Sequence, residues 1–379
     1  MKLSRIYYLL IFVMGSLFLA SCSDDDNNNV ADDGVKVVAA ATSFDANGGS
    51  QEIVVNKDVV KVYAADAWLS VEGKGTNVAI EAGANASLES RHTTVVIKAS
   101  ESDSTIVNVS QMGSVFSLEG LDDGIAATSD AAASFTYTMK HVLPVEVSAS
   151  DEWIVPSVDG ETLKVDLAEN ATGHLRRGWV AYACGTNKDT IDVVQYDFDK
   201  DIAGDYYFMF TQQTGASGGF MSTLAKTSAG YTLSFPALGF ELPVSFDETT
   251  CELSISGGSY MGEYPSKNGV YYIYSVLIDS STGNGTWSSS VNIAAPFDYD
   301  EEDGVYAMFE DTGSWDGGTA DCLSMYAFSE KDPSNDTAVG YIMNMFSPYM
   351  VKADAASARK LAPATAVKFS APARLSFRK

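Results

Sequence analysis

The feature that most constrains the fold of this chain is an internal repeat in its N-terminal half. Trp68 recurs as Trp153, an offset of 153 − 68 = 85 positions. Further landmarks keep this offset or one of 84: Ser50 and Ser134, Asn85 and Asn170, Arg91 and Arg176, Gln111 and Gln195. Because several landmarks recur in one order, the sequence predicts two copies of one module, over residues 36–113 and 114–197.

Each copy consists of short segments in which apolar and polar residues alternate, separated by Gly, Asn, Ser and Asp. In the first copy these segments cover residues 51–55, 77–81, 93–98 and 105–110. Alternation with a period of two is typical of strands that bury one face. A module of this length with such spacing predicts a two-sheet sandwich of about seven strands.

The landmarks of the first copy resemble those of the BACON family, an immunoglobulin-like module of Bacteroidetes surface proteins proposed to bind carbohydrate or mucin. The residues that carry the resemblance are Phe44, Gly48-Gly49-Ser50, Trp68-Leu69, Asn85, Arg91 and Val109-Ser110-Gln111-Met112-Gly113. The second copy departs from the pattern, since Ala131-Ala132-Ala133-Ser134 replaces the glycine turn and Tyr196 replaces the residue before the final Gly. The resemblance implies an immunoglobulin-like fold and a role in binding carbohydrate or in spacing.

The repeated Trp and Arg residues have two interpretations. We expect Trp68 and Trp153 to fill the core, because one large aromatic dominates the burial available to a small sandwich. We expect Arg91 and Arg176 to hold a loop carbonyl or a carboxylate. Contact with sugar is the alternative for all four.

The first 22 residues have the composition of an export signal. Lys2 and Arg5 precede the apolar run Ile6–Ala20, which is short for a membrane span. The run ends in Leu19-Ala20-Ser21-Cys22, which resembles the bacterial lipobox, where a signal peptidase cuts before the Cys and its thiol carries diacylglycerol. Residues 1–22 are therefore predicted to be a lipoprotein signal peptide with Cys22 as the lipidation site; an ordinary signal with a chance Cys is the alternative.

An acidic, Asn-rich segment follows, and residues 23–35 are predicted to be a flexible tether. Ser23-Asp24-Asp25-Asp26-Asn27-Asn28-Asn29 looks like the acidic export signal of Bacteroidetes surface lipoproteins. The predicted location is thus the cell outer membrane, with the protein lipid-anchored and facing the exterior. A plain linker on a periplasm-facing lipoprotein is the alternative.

Charge and ligand-forming residues exclude several classes of protein. Lys and Arg total 24 against 50 Asp and Glu, a formal net charge of −26, so binding to nucleic acid or to an anionic membrane surface is disfavoured. Three His and four Cys are too few for a zinc-ribbon, an iron–sulfur protein or a disulfide-dense scaffold. No metal and no cofactor are expected.

A different domain is predicted over residues 198–350. Phe, Tyr and Trp number 10 in residues 23–197 and 28 in residues 198–379. The segment 197–201 reads as a polar linker, and the start Ala203-Gly204-Asp205-Tyr206-Tyr207 loosely resembles lipocalin-like barrels. Nine strands are predicted, over residues 205–211, 231–235, 241–246, 251–255, 270–278, 288–293, 305–310, 322–328 and 339–346. The expected fold is thus all-β, with two tandem immunoglobulin-like β-sandwiches followed by a larger antiparallel β-barrel or sandwich; residues 351–379 form a basic tail or a terminal strand.

Candidate carbohydrate contacts are the aromatic residues of Gly-rich loops in this domain, since sugars stack on flat rings while nearby polar groups bind hydroxyls. The aromatic candidates are Trp287, Trp315, Tyr260 and Tyr264, and Asp316 is the candidate polar contact beside Trp315. We hypothesise that Trp287 and Trp315 share one exposed groove. The acidic run 298–304 is either a solvated turn or a Ca²⁺ site, and Cys251 and Cys322 are either bonded or buried thiols.

Catalysis is not expected. All three His precede residue 197 and no G-x-S-x-G, Walker or H-E-x-x-H motif occurs, which leaves paired carboxylates as the one enzymatic option. The sequence favours a non-catalytic lipoprotein that binds polysaccharide or host glycan. The alternative is a structural or adhesion lipoprotein that contacts a protein partner in the outer membrane, with the sandwiches as a stalk.

Overall fold

The computed structural model describes residues 34–121, 124–267, 269–353 and 376–377. The predictions for the signal peptide, Cys22 and most of the tether and tail lie outside these residues. Within them, no helix combines the length and apolar character that crossing a membrane requires.

The first module folds as a sandwich of two four-stranded sheets, ordered β1-β3-β6-β5 and β2-β8-β7-β4. Its strands are β1 Val37–Ala40, β2 Ser43–Phe44, β3 Gly49–Val55, β4 Lys61–Ala64, β5 Leu69–Lys74, β6 Asn77–Ala82, β7 Arg91–Lys98 and β8 Ser104–Gln111. Alternate residues of β6 and β7 are buried, as the period-two pattern predicts. Between the sheets, Ile53, Val78, Ile80, Val95 and Ile97 form the centre of the core.

The second module repeats this topology strand for strand, with sheets β9-β11-β14-β13 and β10-β16-β15-β12. Its strands are β9 Phe116–Glu119, β10 Ile125–Thr128, β11 Ala133–His141, β12 Val145–Ala149, β13 Ile154–Asp159, β14 Thr162–Leu167, β15 Arg176–Cys184 and β16 Asn187–Gln195. β2 pairs in parallel with β8, as β10 does with β16. The prediction of two tandem immunoglobulin-like sandwiches is confirmed, with eight strands in each where about seven were predicted.

The linker to the third unit is an ordered π-helical turn, Phe198–Ile202. The Phe198 ring lies 5.0 Å from the rings of both Tyr231 and Phe246, centroid to centroid. Ile202 and the side chain of Asp201 are buried. The linker therefore packs into the third unit instead of running through solvent.

The third unit is a closed eight-stranded barrel. Its ring runs β17-β18-β19-β20-β21-β25-β26-β29 and closes because β29 pairs with both β26 and β17. The strands of this region are β17 Gly204–Thr211, β18 Ser217–Thr227, β19 Gly230–Phe235, β20 Phe240–Asp247, β21 Glu252–Ser256, β22 Tyr260–Ser266, β23 Gly269–Asp279, β24 Asn284–Thr286, β25 Asn292–Asp300, β26 Gly304–Met308, β27 Glu310–Asp311, β28 Cys322–Phe328, β29 Ala338–Lys352 and β30 Ser376–Phe377. The barrel expectation is confirmed, and the sandwich alternative for this region is wrong.

A branch leaves the barrel along β29. The first half of β29 pairs with β28, which pairs with β23, and β23 carries β22 and β24. Ser347, with φ 46°, lies where β29 changes its partner from β28 to β26. β30 pairs in parallel with β24, so two residues of the predicted terminal strand take that role.

Two features of the barrel differ from the sequence prediction. β18 was missed because its start, with Gly218 and Gly219, has the composition of a loop. A Cβ on Gly218 would lie 2.6 Å from Cε2 of Phe210, and one on Gly219 would lie 2.4 Å from the Met209 sulfur, so glycine lets these side chains pack on the strand. The strand predicted over 288–293 is instead β25, which starts at Asn292.

Candidate functional site

The landmarks of the repeat build one polar corner in the first sandwich. Nε and Nη2 of Arg91 donate to Oε1 of Gln111 at 2.9 and 2.7 Å, and Nη2 also donates to the carbonyl of Gly83 at 3.2 Å. The guanidinium carbon lies 4.5 Å from the centroid of the Trp68 ring, which packs on the core. Gln111 is fully buried and donates onward to loop carbonyls.

The second sandwich repeats these contacts at the same offset. Arg176 donates to Oε1 of Gln195 at 2.9 and 2.6 Å and to the carbonyl of Ala168 at 2.7 Å, with its guanidinium carbon 4.1 Å from the Trp153 ring centroid. The prediction that both Arg residues hold loop carbonyls is confirmed. Both Trp residues contact the core, as expected, but they are only partly buried against it and do not fill it. This corner is structural in both copies.

The predicted carbohydrate contacts separate into two groups in the structure. Trp287 is partly buried and packs edge-on against Phe328, with ring centroids 5.6 Å apart. Tyr260, 41% exposed, lies 5.3 Å from Tyr274 in the same branch of the sheet. Tyr260 and Tyr264 belong to strand β22, so their prediction as loop residues is wrong.

Trp315 lies elsewhere, in the segment between β27 and β28, where it packs against the barrel core, as does Tyr264. A Cβ on Gly318 would meet the Trp315 ring at 2.8 Å, so the Gly318 backbone covers part of the indole. The neighbouring Asp316 is exposed. Trp287 and Trp315 therefore pack against different hydrophobic clusters, and their packing gives no support to a shared groove.

A third aromatic position is presented on the outer face of the second sandwich. In β15, Val180, Tyr182 and Cys184 point into the core, and the alternate Trp179 points outward with 41% exposure. Asp192 of β16 lies directly opposite Trp179 in the antiparallel pairing. Cross-strand neighbours on one face have Cβ atoms about 5 Å apart, so the indole and this carboxylate share one surface.

The turn after β12 completes the edge of this surface. The backbone N–H of Trp179 donates to Oγ of Ser150 at 2.9 Å, and that hydroxyl donates to Oδ2 of Asp151 at 2.6 Å. A Cβ on Gly178 would lie 2.7 Å from the same Oγ and 2.6 Å from Cδ1 of Ile154. Glycine at this position therefore leaves room for the Ser150 hydroxyl. This hydroxyl holds Asp151 beside Trp179.

The barrel forms the facing wall. Nε of Arg177 donates to the carbonyl of Phe297 at 2.6 Å, and Nη2 donates to the carbonyls of Thr250 and Cys251 at 3.1 and 3.4 Å. The His174 ring stacks on Tyr299 of the barrel, centroids 3.4 Å apart. These contacts hold strand β25, and with it Asp298, against the sandwich.

The result is a cleft of about 400 Å³ between the second sandwich and the barrel. It is lined by Ser150, Asp151, Arg177, Gly178, Trp179, Asp192 and Asp298. A second cavity of about 480 Å³ continues the same face, because residues 181–183 of β15 line it and residues 177–179 line the first. Its outward-facing lining includes Glu146 and Lys188. Tyr182 and Asp189 lie opposite each other on the core side of the same strands, where burial raises the pKa of Tyr182 to about 12.

Sequence reasoning missed Trp179, although a signal was present. The repeat places Thr94 of β7 at the equivalent position, and Asn108 at the position of Asp192. A landmark that both copies keep marks the shared corner, whereas a Trp that only one copy carries on an outward position marks a surface. Attention to the differences between copies would have found it.

The structure also places the acidic run, the cysteines and the other side chains that could bind a metal. Among the described residues, no group of three or more His, Cys, Asp or Glu side chains could hold a metal ion. The acidic run 298–304 forms the hairpin turn between β25 and β26, where Oδ1 of Asp300 accepts the N–H groups of Glu302 and Asp303 at 2.7 and 2.6 Å. Cys251 and Cys322 are free and buried, and burial raises the pKa of the Cys251 thiol to about 12.

Comparison with known proteins gives one family and several solved structures. The BACON family model, described as "Putative binding domain, N-terminal", matches residues 58–112, within the first sandwich. The predicted resemblance is therefore confirmed for that module. No curated protein matches the chain.

Among solved structures, the titin I9–I11 tandem is 9% identical with a TM-score of 0.32, over 58% of this chain and 93% of that one. A Bacteroides ovatus GH5 xyloglucanase in complex with a XXXG heptasaccharide is 22% identical with a TM-score of 0.19, over 26% of this chain and 22% of that one. At these TM-scores neither structure bears on the function of this chain, and the fold rests on its own strand pairing.

Proposed function

We propose that this protein is a non-catalytic glycan-binding lipoprotein of the bacterial cell surface, and that the Trp179 cleft is its glycan contact. The observation that carries the proposal is the outward Trp179 on a rigid sheet, inside a cleft whose walls carry Asp151, Asp192 and Asp298. An indole binds the C–H face of a sugar, and carboxylates accept hydrogen bonds from its hydroxyls. The family matched by the first module supports a carbohydrate-binding or spacer role.

The arrangement of the chain supports a division of labour. The first sandwich acts as a spacer, since its outer face carries Thr94 and Asn108 where the second carries Trp179 and Asp192. The barrel acts as the opposite wall of the cleft. The anchor is the lipid on Cys22, which holds the protein at the outer membrane and exposes it to polysaccharide or host glycan.

An adhesion or structural role toward an outer-membrane protein partner is the second candidate function. Exposed apolar side chains on the first sandwich favour it, among them Val38, Val60 and Ile106 at 66%, 75% and 66% exposure. In that case the cleft would bind no glycan and the sandwiches would serve only as a stalk.

The test uses the full-length protein in detergent and an array of neutral and acidic polysaccharides. Trp179→Ala should abolish retention, while Trp287→Ala and Trp315→Ala should retain it, and circular dichroism should show all variants folded. Retention by the Trp179 variant together with loss in the Trp315 or the Trp287 variant would place the site on the barrel or on its branch, respectively. Retention of no glycan by the wild type would reject the proposal in favour of the adhesion role.

Two further measurements address the anchor and the chemistry. Intact mass should show a diacylated Cys22 at the amino terminus, and Cys22→Ala should release the protein from the membrane fraction. Oligosaccharides incubated with the protein should be recovered uncleaved; release of shorter products would contradict the non-catalytic assignment.

A further inference from the structure

We propose that the Trp179 cleft selects neutral glycans and rejects glycans that carry carboxylate or sulfate groups. This inference rests on the proposed function and specifies its ligand class. The first observation is the charge of the walls: Asp151, Asp192 and Asp298 line the same cleft as the outward indole, and Asp192 lies directly opposite Trp179. Three carboxylates around a stacking ring provide acceptors for hydroxyl donors, and they repel an anionic sugar placed on that ring.

The second observation is the state of the nearest cation. Among the described residues that line this cleft, Arg177 is the single cation. Its Nε and Nη2 donate to carbonyls of Phe297 and Thr250 at 2.6 and 3.1 Å. A guanidinium recognises a carboxylate or sulfate through two parallel N–H donors, and the barrel carbonyls occupy the side-on pair of Arg177, Nε and Nη2. This side-on pair is therefore not open to an anionic sugar.

The third observation concerns Lys188, the cation that lines the second cavity. Lys188 lies in the second cavity, opposite Ala183 of β15, while Glu146 lies opposite Ala183 on the other side. A glycan long enough to reach Lys188 from Trp179 therefore also meets Glu146, which shares this outward face. This end of the groove does not reverse the charge preference set beside Trp179.

The whole chain acts in the same direction. Its formal net charge of −26 repels a polyanion at distances where the cleft itself is not yet in contact. This long-range part is screened by salt, whereas the repulsion between a cleft carboxylate and an anionic group in contact with it acts within a Debye length and is screened less. Discrimination between neutral and acidic glycans should therefore shrink with ionic strength without vanishing.

The test takes the neutral glycan that the array retains and compares it with the same glycan after oxidation of its primary alcohols to carboxylates. We expect the oxidised form to bind the full-length protein at least about tenfold more weakly by calorimetry, with a smaller difference at high salt. The triple variant Asp151→Asn/Asp192→Asn/Asp298→Asn should bring the two affinities to within about threefold. Asp66→Asn, the counterpart of Asp151 in the first sandwich, should leave the discrimination unchanged.

The outcomes separate this inference from the proposed function. Equal binding of the neutral and oxidised forms to the wild type, or an array in which uronate or sulfate glycans are retained best, would overturn the charge selection while leaving glycan binding intact. A triple variant that is folded and still discriminates tenfold would also overturn it. If the wild type binds no glycan of the array, the proposed function itself is rejected.

Discussion

The two sandwiches share a topology and a polar corner but differ on one outer face. At the corner, Arg91 and Arg176 make the same contacts at an offset of 85 positions. On the outer face, the first sandwich has Thr94 at the position that Trp179 occupies in the second. The comparison teaches that what the copies keep is needed to fold the module, and that what one copy has changed is where a surface has been adapted.

The local structure beside Trp179 shows how far the adaptation extends. In the first copy, Oγ1 of Thr93 accepts the N–H of Asp66 at 3.2 Å. In the second copy, Gly178 replaces Thr93, and the Ser150 hydroxyl accepts the N–H of Trp179 at 2.9 Å. The hydrogen-bonding group has moved from the strand to the turn, which places a hydroxyl and a carboxylate at the edge of the cleft.

The junctions that flank the second sandwich also differ. At the first junction, the N–H and Oγ1 of Thr186 both donate to the Ala86 carbonyl at 3.0 Å. At the second, Arg177 donates to barrel carbonyls, and the Tyr196 hydroxyl donates to the Glu248 carbonyl at 2.8 Å. Ile125, Ala127 and Val194 of the sandwich pack against the barrel core. The second sandwich and the barrel are therefore joined by a buried interface, and the cleft lies at its rim.

The largest expected effect comes from the shared corner. Gln111→Leu and Gln195→Leu should each lower the free energy of unfolding of their sandwich by about 2–4 kcal/mol, because the Arg fork and the loop carbonyls lose a fully buried partner. Urea unfolding followed by hydrogen exchange in each sandwich measures this. Asn108→Ala, on the exposed face, is the control. Similar losses in the two copies support a common structural role, and a loss below about 1 kcal/mol in either copy would contradict it.

The next effect concerns the junction between the second sandwich and the barrel. Arg177→Met keeps much of the side-chain length but removes donors to the barrel carbonyls, and we expect a loss of about 2–3 kcal/mol in the stability of this interface. Its counterpart in the first copy, His92→Met, should change stability by less than about 0.5 kcal/mol. Earlier unfolding of the barrel relative to the wild type, seen by segment-resolved hydrogen exchange, would be the signature. Equal effects of the two variants would remove the distinction between the copies.

Trp179→Ala should separate binding from folding. We expect glycan affinity to fall by about 30-fold, or about 2 kcal/mol, as for an aromatic anchor at an interface. Stability should change by about 0.5 kcal/mol or less, because the side chain is on the outer face. Thr94→Ala is the matched control and should alter neither quantity. Calorimetric titration and urea unfolding of the same preparations make the comparison.

The smallest effect is a pH dependence at the second junction. Burial raises the pKa of Asp201, so the folded protein binds this proton more tightly than the unfolded chain, and stability is lost as pH rises from the ordinary carboxyl pKa through the folded one. Asp201→Asn removes this loss, so its stability relative to the wild type should rise across that range. Asp199→Asn, exposed on the same turn, should show no such trend. A flat difference for Asp201→Asn between pH 4 and pH 7 would show that the buried carboxyl is not the cause.

Much of the fold followed from local pattern, because alternation survives wherever a strand buries one face. The repeat located both sandwiches, and most strands of the barrel were found within one or two residues of their bounds. The sequence of β29 could not predict that the barrel closes, because the strands that pair with β29 lie far away in sequence. In addition, β29 changes its partner strand at Ser347. Strand β18 was not predicted because Gly218 and Gly219 are needed for close contacts with Phe210 and Met209. Such contacts are not visible in a local sequence pattern.

The site was harder to predict than the fold for a related reason. Loop aromatics such as Trp287 and Trp315 attract attention in a sequence, but each is packed against a cluster that only tertiary structure assembles. Trp179 was overlooked because it stands within a regular strand. Asp298 comes from the barrel, 106 positions beyond Asp192, and enters the cleft only through the docking that Arg177 stabilises.

Hydroxyl-radical footprinting of the full-length protein, with and without a retained neutral glycan, tests the central claim most directly. The prediction is that the glycan protects Trp179 from oxidation and leaves the segment around Thr94 unchanged. Protection of Trp287 or Trp315 with Trp179 still oxidised at its unliganded rate would contradict the account, because the glycan would then occupy the barrel or its branch and not the outer face of the second sandwich.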